Sequence, residues 1–145
     1  MLVEKLLGDA RSRLAVAPSD ASLRAVAFAF KNPRVGLVIV VDEKVSAIGV
    51  VTKSDIVRHL ANGETPNAEA SAVMSERIIA CTPDDDLRVI CDVMRTRGLQ
   101  NLPVLDRTKS PIGVLNVRDT LGALLEQEQE DDRELVDYIR GAGYR

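Results

Sequence analysis

The sequence predicts an α+β fold in which two pseudo-symmetric strand–helix–strand–strand–helix repeats pack as one module. Three observations carry this expectation. The stretch Gly49-Val50-Val51-Thr52-Lys53-Ser54-Asp55 returns as Gly113-Val114-Leu115-Asn116-Val117-Arg118-Asp119. The apolar set Leu23, Val26, Ala27 and Phe30 falls on Leu87, Ile90, Cys91 and Met94 at the same 64-residue spacing, as Asp42 falls on Asp106. Self-similarity at a fixed period marks one supersecondary unit used more than once. Half of a 145-residue chain has only a marginal core, so the halves should fold against each other.

Each element has a local reason. Val3 to Leu7 reads as a short amphipathic helix, and Arg13 to Ala17 as a strand ended by Pro18. Ser19 and Asp20 offer N-caps for a helix to about Lys31, whose apolar residues keep the i, i+3, i+4, i+7 spacing. The alignment places one extra residue in the first half between Pro18 and Leu23. Val35 to Val41 is almost wholly apolar, which predicts a strand buried on both faces. Asp42-Glu43-Lys44 is a turn, Val45 to Val51 the returning strand, and Asp55 to Ala61 a helix with Ile56, Val57 and Leu60 inward.

Asn62 to Asn67 is a loop, and the pattern restarts after it. Arg77 to Cys81 is a strand candidate. Thr82-Pro83-Asp84 caps the helix carrying Leu87, Ile90, Cys91 and Met94. Asn101 to Leu105 and Ile112 to Val117 form a second strand pair, with Pro103 at a strand start or edge because it has no N–H to donate. A second closing helix covers Asp119 to about Gln127. The expected division is repeat 1 over 8–64, repeat 2 over 71–128, and an acidic then amphipathic tail over 129–145 whose helix ends at Gly141.

The repeated motif has a chemical use. A strand that ends where a helix begins presents free backbone N–H groups and the positive end of the helix dipole, which suits a phosphate. Thr52 and Asn116 fall at or near the N-cap, and Asp55 and Asp119 lie on the same side of the first turn. A carboxylate there can accept hydrogen bonds from both hydroxyls of a ribose. Thr-x-x-Asp and Asn-x-x-Asp before an apolar run are also the pattern of a capping box, which needs no ligand.

Composition excludes several classes. The net charge of −3, aromatics at 3% and the absence of Trp disfavour a nucleic-acid binder. Cys81 and Cys91 form no CxxC, and the single histidine, His59, has no metal-ligand cluster around it. His59 is expected on the solvated surface, Cys91 in the core and Cys81 at a strand exit. Lys53 and Arg118 are read either as surface charges or as phosphate contacts. No signal peptide or membrane span is visible, which points to the cytoplasm.

Two copies of this unit, each ending in glycine–apolar–apolar–Thr/Asn–x–x–Asp, resemble a tandem pair of CBS domains, a Bateman module. Val73-Met74-Ser75, Ile78-Ile79-Ala80, Cys81-Thr82-Pro83-Asp84-Asp85, Leu102-Pro103-Val104 and the tail Glu134 to Ile139 resemble small stand-alone bacterial CBS-pair proteins. The resemblance implies a non-catalytic regulatory module. It would bind an adenosine-containing ligand (AMP, ADP, ATP, NAD(H) or S-adenosylmethionine) between the repeats and form a homodimer. It needs no obligatory cofactor. Carried over by position, Asp55 and Asp119 would hold ribose at two sites, with Thr52 and Asn116 facing phosphate or ribose. Ala15, Val16, Val38 and Ile39 would line the first adenine pocket, and Ala80, Cys81, Leu102 and Pro103 the second. Lys53 and Arg118 would be phosphate partners. Ser54 stands where related proteins often have arginine, Asn116 replaces the commoner Thr or Ser, and Gln100-Asn101 replaces a basic pair.

Two further functions fit the residues. The carboxylates Asp55, Asp84, Asp85 and Asp119 could serve a nucleotide-acting enzyme, although no nucleophile–base pair or P-loop accompanies them. Alternatively, the motifs are helix caps only, and the chain is an assembly protein that meets an unidentified protein target through its tail helix.

Overall fold

The computed structural model describes residues 1–143, and side chains only as far as Gly141. A 3-10 turn over Val3–Leu6 leads into α1 (Leu7–Ser12). Then follow β1 (Val16–Pro18), α2 (Leu23–Ala29), β2 (Leu37–Val41), β3 (Ala47–Thr52) and α3 (Lys53–Ala61). The second half holds α4 (Ala70–Val73), α5 (Leu87–Arg97), β4 (Asn101–Leu105), β5 (Pro111–Asn116) and α6 (Val117–Gly143).

The predicted α+β architecture of two repeats is present, and the 64-residue period governs it in detail. β2 pairs antiparallel with β3 from Leu37↔Thr52, and β4 with β5 from Asn101↔Asn116. Each hairpin breaks register at the same place, after Val40 and after Val104. Each turn is held by one aspartate. Asp42 Oδ1 accepts from the N–H groups of Lys44 and Ser46, and Asp106 Oδ1 from those of Thr108 and Ser110, at 2.8–3.0 Å. Val45 and Lys109, again equivalent, both take positive φ, at 61° and 66°.

The sheets differ. β1 joins β2 in parallel, giving order β1-β2-β3, whereas β4-β5 has only two strands. The strand expected over Arg77 to Cys81 reduces to one parallel bridge, Cys81↔Val104, in which Cys81 N–H donates to Pro103 O at 3.0 Å. Pro103 lies within β4, but its carbonyl faces Cys81 on the outer side of the hairpin, so its missing N–H costs no bond to β5. Ala17 pairs with Val40 as Cys81 pairs with Val104. The period therefore holds from Ala17 onward, and the extra residue expected between Pro18 and Leu23 is not needed.

Several boundaries move for identifiable reasons. Arg13 closes α1, its N–H reaching Ala10 O and the Leu14 N–H reaching Arg11 O, so the first strand begins only at Val16. Ser22, not Ser19 or Asp20, caps α2, and Asp86, not Thr82 to Asp84, caps α5. Val57 and Leu60 of α3 are exposed rather than inward, and only Ile56 packs on the core. The closing helix does not stop near Gln127 or at Gly141. α6 continues through 128/129 to Gly143 in one piece, and Tyr144 and Arg145 of the expected tail lie outside the described residues.

The repeats are interlocked through their cores. Val3, Leu6 and Ala10 from the N-terminus pack with Cys81, Leu87, Met94, Leu102 and Leu115 of the second half. Ala70, Val73 and Met74 pack with Leu23, Val26, Val38 and Val51 of the first. A third cluster, Leu37, Ile39 and Val41 with Val114, joins the two hairpins. Each crossing helix lies on a motif glycine. A Cβ on Gly113 would stand 2.8 Å from Ala10 Cβ and 3.0 Å from Ala10 C, and one on Gly49 would meet Met74 Cγ at 2.7 Å.

The backbone of α1 cannot yield as a flexible side-chain end can. Gly113→Ala should therefore cost about 2 kcal/mol in urea unfolding, in the range of overpacked cores. Gly49→Ala, which meets only the Met74 side chain, should cost less.

Candidate functional site

The two motif turns are built differently. At the first, Thr52 Oγ1 accepts from Asp55 N–H at 3.3 Å, while Asp55 Oδ2 accepts from Thr52 N–H at 2.8 Å. This is a complete capping box. Asp55 Oδ1 also lies 3.4 Å from Arg58 Nη1. At the second, Asn116 Oδ1 caps the Arg118 N–H at 2.9 Å, and its amide donates to Asn101 Oδ1 at 3.3 Å. The longer Asn side chain serves a different N–H, so Asp119 takes no part in capping. Its Oδ2 instead accepts from Arg13 Nε at 2.8 Å, with Arg13 Nη2 3.4 Å from Oδ1. Both side chains are largely covered, at 15% and 27% exposed.

A cleft of about 480 Å³ opens between the repeats at the first motif. Thr52, Lys53 and Ser54 enter it from the start of α3, and Arg77, Ile79, Gln100, Asn101 and Pro103 from the second half. Leu37, Val50 and Leu99 supply apolar wall. The volume lies within the range of small-molecule sites, and an apolar wall with a few polar groups is their usual construction. A larger groove of about 840 Å³ runs between the N-terminus and α6, but Glu4, Glu126, Glu130, Asp131 and Glu134 line it. Those carboxylates would repel an anionic ligand.

The expected site residues separate into three groups. Thr52, Lys53 and Pro103 line the cleft. Asp55 lies one turn behind Thr52, with Oδ2 facing the strand–helix junction. The first motif therefore faces Pro103 of the second half, so the grouping is crossed relative to the sequence expectation. Asn116, Arg118 and Asp119 belong to the second junction, where Asp119 meets Arg13, two residues before Ala15. Ala15 is half-buried and Val16 exposed. Val38, Ile39, Cys81 and Leu102 are core side chains, each no more than 3% exposed, and Ala80 is half-buried. Sequence reasoning missed Arg13, Arg77 and Gly98. The signal was the strict period, which puts Arg13 at the place of Arg77.

His59 departs from its expected solvated position. Its side chain is 8% exposed, with Nε2 2.7 Å from Thr65 O and Nδ1 3.2 Å from Glu64 Oε2, tying α3 to the following loop. Cys91 is buried, as expected. Among the described residues no cluster of His, Cys, Asp and Glu could hold a metal ion, and no helix is long and apolar enough to cross a membrane.

The fold and its paired junctions define a tandem-repeat module, and comparison gives its family. The CBS domain profile matches residues 5–62 and 70–126, so the chain belongs to the CBS domain family. An uncharacterized 17.7 kDa protein of Acidianus ambivalens is 22% identical over 98% of this chain and 86% of its own length. The chain spans half or less of two other curated relatives. Among solved structures, the CBS domain pair of MJ0100 in complex with 5'-methylthioadenosine and S-adenosyl-L-methionine gives a TM-score of 0.73 at 19% identity. It covers 88% of this chain and 98% of that one. PAE2072 from Pyrobaculum aerophilum, complexed with AMP, gives 0.72 at 24% identity over 82% and 89%.

Cys81 offers a probe of this region. Burial, and then the charge of Asp85, push its thiol from 9.0 up to about 12. A raised folded value means that the unfolded chain loses this proton first. The stability it contributes is complete below about pH 9 and falls as pH rises toward about 12. Urea unfolding of the wild type should lose stability over that window more steeply than Cys81→Ala, and the native thiol should resist DTNB at pH 8.

Proposed function

We propose that this chain is a non-catalytic regulatory CBS pair that binds an adenosine-containing nucleotide in the cleft between its repeats. The observation that carries the reading is the cleft itself. It combines the N-terminus of α3, an apolar wall of Leu37, Val50, Ile79 and Pro103, and two cations, Lys53 and Arg77. The helix N-terminus and the cations suit phosphate, and the wall suits a base. Asp55 supplies a carboxylate within the first turn for ribose. Relatives of the same fold bound to AMP, or to S-adenosylmethionine and methylthioadenosine, support the ligand class.

The same reading takes the protein as a cytoplasmic homodimer. Its support as a homodimer is the exposed apolar residues Val57 and Leu60 on α3, with Leu121, the counterpart of Val57, and Leu125 on α6, a surface a second copy could cover.

Thermal unfolding against AMP, ADP, ATP, NAD⁺, NADH and S-adenosylmethionine tests the ligand. At a hundred times its dissociation constant, a ligand stabilises by about 2.7 kcal/mol, a shift of several degrees in a domain of this size. Lys53→Ala and Arg77→Ala should shrink the shift. A flat response to all six ligands would leave the motifs as helix caps only.

A further inference from the structure

We infer that the chain keeps one nucleotide site open and closes the equivalent second site with its own Arg13. This inference rests on the function proposed above. Ala10 stands on Gly113 as Met74 stands on Gly49, and Ala17 pairs with Val40 as Cys81 pairs with Val104. The 64-residue spacing thus holds on both sides of Arg13, and Arg13 and Arg77 occupy equivalent positions.

Their circumstances are opposite. Arg13 spreads its guanidinium over both oxygens of Asp119, and its Nη1 donates to Arg34 O at 3.1 Å. Arg34 in turn donates through Nε and Nη2 to Ser12 Oγ, at 3.0 and 2.7 Å, fixing the residue beside Arg13. The counterpart of Arg34 is Gly98 and that of Ser12 is Glu76, so nothing of the kind supports Arg77. Arg77 is exposed and has no hydrogen bond or ion pair among the described residues. Gly98 lines the open cleft at the place where Arg34 puts a side chain on the other side.

Two consequences follow. A ribose arriving at Asp119 must displace a two-point guanidinium contact that is largely shielded from water. In the open cleft, Arg77 is free to meet an anion. One chain should therefore bind one nucleotide.

Calorimetric titration with AMP tests this. The wild type should take up one AMP per chain, and Arg77→Gln should weaken that site by about tenfold. Arg13→Gln should raise the stoichiometry to two, and adding Asp119→Asn to Arg13→Gln should return it to one. Arg34→Ala loosens the support while keeping Arg13, so it gives the same reading if Arg13→Gln does not fold. Two AMP per wild-type chain, or a stoichiometry unchanged in both Arg13→Gln and Arg34→Ala, overturns the inference and leaves the open cleft intact. Should the wild type bind no AMP, the cleft is not the site. Uptake of one AMP by Arg13→Gln would then uphold the closure, and no uptake by either variant would overturn both.

Discussion

The structure depends on two places where a helix lies directly on a strand of the other repeat. Gly113 is buried because the backbone of α1 comes within a Cβ of its own, and Gly49 because the side chain of Met74, at the end of α4, does the same. Through these contacts the N-terminal residues complete the core of the second half, and residues 70–74 complete that of the first. Neither half encloses its apolar side chains alone, which is the expected remedy for units of this size. The motif glycine therefore belongs to the fold before it belongs to any ligand.

The rest of the motif shows how one short sequence carries two roles. A residue at the N-cap and an aspartate three positions on can satisfy the first turn and still present oxygen atoms to a ligand. Thr52 and Asp55 share the capping between them. Asn116 caps alone, through a different N–H, and leaves Asp119 to Arg13. The two junctions thus differ both at the N-cap and in the distant arginine, and the carboxylate is tied to its own helix in one and to Arg13 in the other.

The period was legible because it rests on side-chain burial, which leaves a pattern in sequence. Leu23 and Leu87 or Asp42 and Asp106 could be matched without coordinates. The missing strand at Arg77 to Cys81 was not legible, since apolar Ile78 and Ile79 suit a strand, and only tertiary pairing determines whether one forms. The inward placement of Val57 and Leu60 failed because α3 packs through Ile56 alone. His59 read as solvated because its partners, Glu64 and Thr65, lie in a loop with no periodic signal. In the candidate site, Thr52 and Lys53 were visible from the motif. The crossed grouping was not, because it follows from the swapped helices.

The crossing also says how occupancy would reach the rest of the molecule. A ligand can move an equilibrium only by its difference in affinity for the two states. The cleft walls include Leu37 and Val50, and both also belong to the cluster that seats Ile39 and Val41 against Val114 of the other hairpin. A ligand seated against Leu37 and Val50 would therefore touch residues that also pack the repeats together. The opposite junction is held by Arg13 and Asp119, which join the N-terminal segment to the start of α6. That ion pair sits in the first turn of α6, a helix of 27 residues. A shift of the repeats at the cleft would therefore meet α6 through this contact between the N-terminal segment and Asp119.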